Sequence, residues 1–251
     1  MANKNTGKKD VKSTKNNDAK DNIKKSAKTG STMIRDTLAL FIITMIAGCL
    51  LGLVNEVTKD LIAQADLQKK MDAYRTVFSS AAEFRENDEI TSKVEDVEGF
   101  SKTVDEANAT GNYEKSGVDA KIESFVINEV LEAVDSSGNV LGYVVSFTGT
   151  AGYGGDVNMS LGVDNDGVIT GFEVISNSET AGLGANCTNA EFKDQFKDIS
   201  TTGIMYTKSG KKEGTDPAEI DALSGATVTT KAVTKSVNAV LLFLHTYCLD
   251  A

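Results

Sequence analysis

The run DALSGAT, Asp221–Thr227, continues into Val228 and Thr229 and sets an acidic residue, a small Ser-Gly-Ala turn and a threonine hydroxyl in a row. Ser224 and Gly225 suit the entry to a helix, and Thr227, Val228 and Thr229 start it. Backbone N–H groups at a helix start lack intrahelical partners and point outward, so they make a site for a phosphate. A hydroxyl at that place can itself carry the phosphate as an ester. The plainer alternative is a Ser or Thr cap with no ligand.

Other chemistries are poorly supplied. The cysteines are Cys49, Cys187 and Cys248, with no CxxC, while an ordinary iron–sulfur cluster takes four thiolates. The single His245 excludes a His-rich metal site. Cys187 and Cys248 either pair or remain two free thiols. No catalytic triad stands out. Redox chemistry here needs an organic cofactor.

The elements around the motif follow from charge and periodicity. Residues 1–35 hold ten Lys or Arg against three Asp, a net of +7, and the whole chain carries −10, which leaves −17 for residues 36–251. An acidic body repels a phosphate backbone, so nucleic acid is excluded as a partner. The basic head, 1–35, is almost free of apolar residues and is expected to be disordered. Thr37–Val54 has no charged residue over eighteen positions, just enough to cross a bilayer core of roughly 30 Å. Residues 36–54 therefore read as a single-pass cell-membrane anchor. Lysines before it put the N-terminus in the cytoplasm and the body outside. A cleaved signal peptide would have an unusually long head. A lipoprotein is the other alternative, since Ile46-Ala47-Gly48-Cys49 resembles a lipobox, although the apolar run continues past Cys49.

Residues 55–120 read as a stalk helix to Phe78, with Val57, Leu61, Ala65, Met71 and Val77 near helical spacing, then an acidic loop with short elements. The 121–251 domain opens with two hairpins, turning at Ser137-Gly138-Asn139 and Asn165-Asp166-Gly167. A Gly follows the apolar pair after each turn, which is either hairpin grammar or a small duplication. A short helix is expected near Glu191–Phe196. The final helix carries Val233, Val237, Val240, Leu241 and Leu244 on one stripe, to pack on the sheet. The fold class is α+β, antiparallel β-hairpins packed with helices and preceded by one transmembrane helix.

Four pieces stand in order: the anchor, GYGGDV from Gly152, SETAGLGA from Ser178 and DALSGATVT from Asp221. Together they resemble the FMN-binding domain of respiratory membrane flavoproteins. The likeness is nearest to the G subunit of Rnf, the ion-pumping ferredoxin:NAD+ oxidoreductase, with the C subunit of the sodium-pumping NADH:quinone reductase as a relative. It runs from the anchor to the C-terminus and takes in NEVTKDLIA and VFSSAAEF. The resemblance implies FMN joined covalently through its phosphate to Thr227, the last residue of a D-x-x-[ST]-G-A-T pattern, with Ser224, Gly225, Ala226 and Thr229 around it. It also implies that Glu179, Thr180, Gly182, Leu183 and Gly184 lie against the flavin, the glycines allowing close backbone approach and Leu183 giving an apolar face. Ala181 departs from the family's usual Pro and leaves that loop less stiff. Lys231 and Lys235 either balance the phosphate or are solvated helix lysines.

The implied function is an electron carrier within a membrane complex, with iron–sulfur and flavin subunits as partners and a separate Mg-dependent flavin transferase for maturation. A quinone-reductase component or a stand-alone extracellular flavoprotein is the redox alternative. A non-redox, membrane-anchored binding protein is the other.

Overall fold

A computed structural model describes the backbone of residues 11–110, 114–115 and 118–249, and the side chains of 35–110 and 119–249. The chain divides into two compact units, Met1–Ala65 and Asp66–Ala251. Helix α1, Val11–Val77, begins inside the basic head that the sequence suggested was disordered; side chains before Arg35 lie outside the described residues.

In the first unit, the described helix from Arg35 onward carries an 18-residue window of mean hydropathy 2.5, none of it buried. Phe41, Ile43, Leu51 and Leu53 are all more than 60% exposed. A helix in water does not leave such a girdle bare, whereas a helix in lipid satisfies its own backbone and needs no cover. Thr44 is neutralised locally, its hydroxyl donating to Phe41 O at 2.9 Å. This segment fits a membrane anchor. Val57 and Leu61 stay exposed, so the stalk stripe is not buried there; burial begins with Ala73, Tyr74 and Val77 in the second unit.

The second unit is built on strands β1 (Glu83–Glu86), β4 (Phe125–Val134), β5 (Val140–Gly149), β6 (Val157–Asp164), β7 (Val168–Asn177) and β8 (Ile199–Ser200), antiparallel in the order β1-β4-β5-β6-β7-β8. Both expected hairpins form. Each turn opens on an Asp: Asp135 Oδ1 accepts from Ser137 N and Asn139 N, and Asp164 Oδ1 from Asp166 N and Val168 N. Gly162 and Gly171 are paired across β6 and β7, and a Cβ on either would lie within 2.7 Å of Val77 backbone. They leave the space in which the end of α1 lands, and Thr170 Oγ1 donates to Val77 O there at 2.6 Å.

Residues 79–110, expected as loop with short elements, fold instead into β1 and two helices, α2 (Asp88–Glu95) and α3 (Val97–Thr110). Asn87 caps α2 by accepting from Glu89 N at 3.0 Å. Phe100 of α3 meets Phe243 edge-on, ring centroids 5.2 Å apart, so this acidic stretch is part of the domain core. Two short strands, β2 (Glu114–Lys115) and β3 (Val118–Asp119), follow α3.

After β7 come a 3-10 turn at Gly184–Thr188, helix α4 (Ala190–Lys193) running into a second turn at Asp194–Phe196, and the parallel pair β9 (Ile204–Thr207) and β10 (Ala218–Asp221). Helix α5, Thr227–Leu244, closes the core with the expected stripe: Val233, Val237, Val240, Leu241 and Leu244 are all at most 1% exposed. It is also apolar and long enough to pass as a membrane span, but two-thirds of its window is buried in the protein, as in a core helix. Its polar side is buried too, and is satisfied. Thr234 and Ser236 hydroxyls donate to the carbonyls four residues back. Asn238 Nδ2 donates to Ala120 O and Ile204 O, and its Oδ1 accepts from Ile204 N at 2.7 Å. Asn238→Leu leaves three buried backbone groups without partners and should cost about 3 kcal/mol or more. A denaturant midpoint that falls with an unchanged slope is the expected reading.

Candidate functional site

The chain from β10 to α5 turns on Ala222–Ala226, with Gly225 in the left-handed region at φ 73°. Thr230 staples the turn: its hydroxyl accepts from Leu223 N at 3.1 Å and donates to Ala226 O at 3.0 Å. The residue at the N-cap is Ala226, which has no capping side chain. The ordinary Ser or Thr cap is therefore not what this motif makes, and among the described residues no side chain caps the first turn of α5.

Three threonine hydroxyls lie in the first turn of α5. Thr229 and Thr230 are fully buried, and both are engaged, Thr229 Oγ1 donating to Glu179 Oε2 at 2.8 Å. Thr227 is half-buried, and its hydroxyl has no hydrogen-bond partner among the described residues. Only Thr227 combines access with an uncommitted oxygen.

Two glycine-bearing loops face this turn. Glu179, itself 9% exposed, accepts from Gly154 N at 3.2 Å through Oε1, and its own N–H donates to Asn177 Oδ1 at 3.0 Å. A Cβ on Gly184 would lie 2.3 Å from Glu179 Oε2 and 2.5 Å from Thr229 Oγ1, so glycine there is a packing requirement. Between the loops and the start of α5 lies a cleft of about 480 Å³ lined by Tyr153, Glu179, Thr180, Leu183, Gly184 and Gly225–Thr229.

The cleft gathers Glu179, Thr180, Leu183, Gly184, Gly225, Ala226, Thr227 and Thr229 from the residues singled out in the sequence. Ser224 opens instead onto a neighbouring cleft shared with Asp221 and Leu223. Gly182 turns the loop, its carbonyl accepting from Asn186 Nδ2 at 3.1 Å. Asp221 fixes the flanking segment, Oδ1 accepting from Lys211 N at 2.8 Å. Tyr153 and Val228 were not foreseen. They are 76% and 47% exposed, and with Leu183 at 45% they give the cleft an apolar rim. The signal for Tyr153 was an aromatic residue set among glycines in GYGG.

Lys235 neither balances a phosphate nor is solvated. It is buried and pairs with Asp119 at 2.9 Å and Glu123 at 2.5 Å. The hydrogen bond from Lys235 holds the Asp119 carboxyl below its ordinary range. No disulfide joins any of the three cysteines. Burial, then the nearby Glu179 charge, push the Cys187 thiol up to about 11, so it stays protonated at neutral pH.

The FMN-binding domain family matches residues 152–242, a range that contains all three cleft-forming segments. Over 204 residues the chain is 35% identical to the G subunit of the Na+-translocating ferredoxin:NAD+ oxidoreductase complex of Acetobacterium woodii, covering 80% of this chain and 86% of the relative. The chain belongs to the G-subunit family of ion-translocating oxidoreductase complexes. Another G subunit, from Methanosarcina acetivorans, is 30% identical over 203 residues, covering 80% of this chain and 89% of that one. Among solved structures, the crystal structure of Shewanella oneidensis NqrC aligns at 28% identity with a TM-score of 0.42, over 47% of this chain and 58% of that chain. As a member of the G-subunit family, the chain carries its flavin-domain match from the GYGG loop into α5.

Proposed function

We propose that this chain is the covalently flavinylated electron carrier of an Rnf-type ferredoxin:NAD+ oxidoreductase complex, with FMN esterified through its phosphate to Thr227. The observation that carries this reading is the division of labour among the three threonines: Thr229 and Thr230 are buried and bonded, while the Thr227 hydroxyl meets the cleft uncommitted. The residues present fit the group. An apolar rim of Tyr153, Leu183 and Val228 suits a flat ring, and the uncapped first turn of α5 suits a phosphate.

When bound, FMN supplies one- and two-electron transfer. The chain's own residues hold, orient and shield. The Thr227 oxygen would hold the phosphate and the N–H groups at the start of α5 would offset its charge, while Leu183 and Thr180 line the cleft. A covalent tether matters for a domain outside the cytoplasm, where a dissociated cofactor is lost by dilution. A flavin transferase makes the Oγ–phosphorus bond from FAD, with AMP as the leaving group. Electrons come from and go to neighbouring iron–sulfur and flavin subunits, and the net reaction passes them from ferredoxin to NAD+ while Na+ or H+ is exported.

The +7 head and the uncharged Thr37–Val54 run support a single-pass topology with the domain outside the cytoplasm. In cells stripped of any outer barrier, added protease should remove the flavin domain and spare an N-terminal tag. Isolation of the tagged chain from membranes should bring visible flavin absorbance and the other subunits together. A colourless chain that comes alone would refute the assignment.

A further inference from the structure

Glu179 sits where the three cleft-forming segments meet, and each of its carboxylate oxygens is spoken for by a different one. Oε1 accepts from Gly154 N, next to Tyr153 on the rim, and Oε2 accepts from Thr229 Oγ1, on the first turn of α5 two residues beyond Thr227. The residue itself begins the loop that carries Thr180, Leu183 and Gly184. Its surroundings are built to the carboxylate's shape: a Cβ on Gly152 would lie 2.5 Å from Oε1, and one on Gly184 would lie 2.3 Å from Oε2. Its hydrogen-bond donors are a backbone N–H and a hydroxyl, groups that fix direction and neutralise no charge. A buried acceptor of this kind holds its donors in place because any displacement leaves a desolvated oxygen unpaired.

We propose that Glu179 is a positioning residue, whose carboxylate fastens the Tyr153 loop and the Leu183 loop to the first turn of α5 and so holds the walls against which the Thr227-borne flavin rests. The proposal rests on the flavin reading given above. Sites of this sort lose precision when the residues behind them are loosened, even where the contact residues are intact. Glu179 thereby acts on the mobility of the attached ring, through Thr229 and Gly154, and not on the making of the phosphoester.

The test uses the full-length chain expressed with a flavin transferase. Flavin content is read by fluorescence in a denaturing gel, ring mobility by fluorescence anisotropy of the folded protein, and folding by thermal midpoint. Glu179→Gln keeps one acceptor for Gly154 N and one amide for the Thr229 oxygen, so its anisotropy should match wild type. Glu179→Ala and Thr229→Val should still carry flavin, but with anisotropy falling toward that of FMN on a flexible peptide. The double variant should fall no further than Glu179→Ala alone, because both changes remove parts of one connection. If Glu179→Ala does not fold, Thr229→Val, which breaks the connection from the other side, decides. Wild-type anisotropy in Thr229→Val, or a Gln variant as mobile as the Ala variant, overturns the proposal. A wild-type chain without flavin overturns the cofactor reading as well, and shows itself in the gel before any variant is compared.

Discussion

Thr227→Ala should abolish flavin fluorescence from the denatured protein entirely, while Thr229→Ser and Thr230→Ser keep it. The expectation is all-or-none because the tether is one bond to one oxygen. Thr227 lies half-buried at the cleft with an uncommitted hydroxyl, whereas the other two hydroxyls face inward and hold Glu179, Leu223 and Ala226. Serine preserves those internal hydrogen bonds, so loss of flavin in the Ser variants could not be excused as loss of structure. Persistent fluorescence in Thr227→Ala would move the attachment to another residue.

A soluble protein beginning at Asn55 should be reduced readily by dithionite but only slowly by NADH or reduced ferredoxin. The assembled complex should deliver electrons faster by about 100-fold or more, since neighbouring carriers held at fixed distance replace diffusional encounter. The sequence has no dinucleotide fingerprint beyond the weak G-x-G at Gly152, and too few cysteines for a cluster. Stopped-flow bleaching of the flavin absorbance measures the difference. Rapid reduction of the soluble protein by NADH would mean a nicotinamide site exists on this chain, and a self-contained dehydrogenase would replace the carrier.

Much of this architecture is legible in the residues. The hairpins announce themselves because Asp-x-x-Gly turns need particular residues at particular places, and α5 because Val233, Val237, Val240, Leu241 and Leu244 repeat on one stripe. The helices at 88–110 were hidden by acidic composition, although Ile90, Val94, Val97, Phe100 and Val104 recur every three or four residues. Lys235 and Asn238 were invisible as core residues because their partners, Asp119, Glu123, Ala120 and Ile204, come from segments distant in sequence. The site shows the same division. DALSGAT and SETAGLG name most of the cleft, because turn geometry and close packing are written in small residues. The convergence of Glu179, Gly154 and Thr229 depends on tertiary contact, and so does the exposure of Tyr153 and Val228 at the rim.

The most direct test is the mass of one peptide. Wild-type chain taken from membranes and digested with trypsin should yield a peptide ending at Lys231 that is heavier by FMN less one water, with fragmentation placing the added mass on Thr227. An unmodified Thr227, or the flavin mass on any other residue, would contradict covalent attachment at this site.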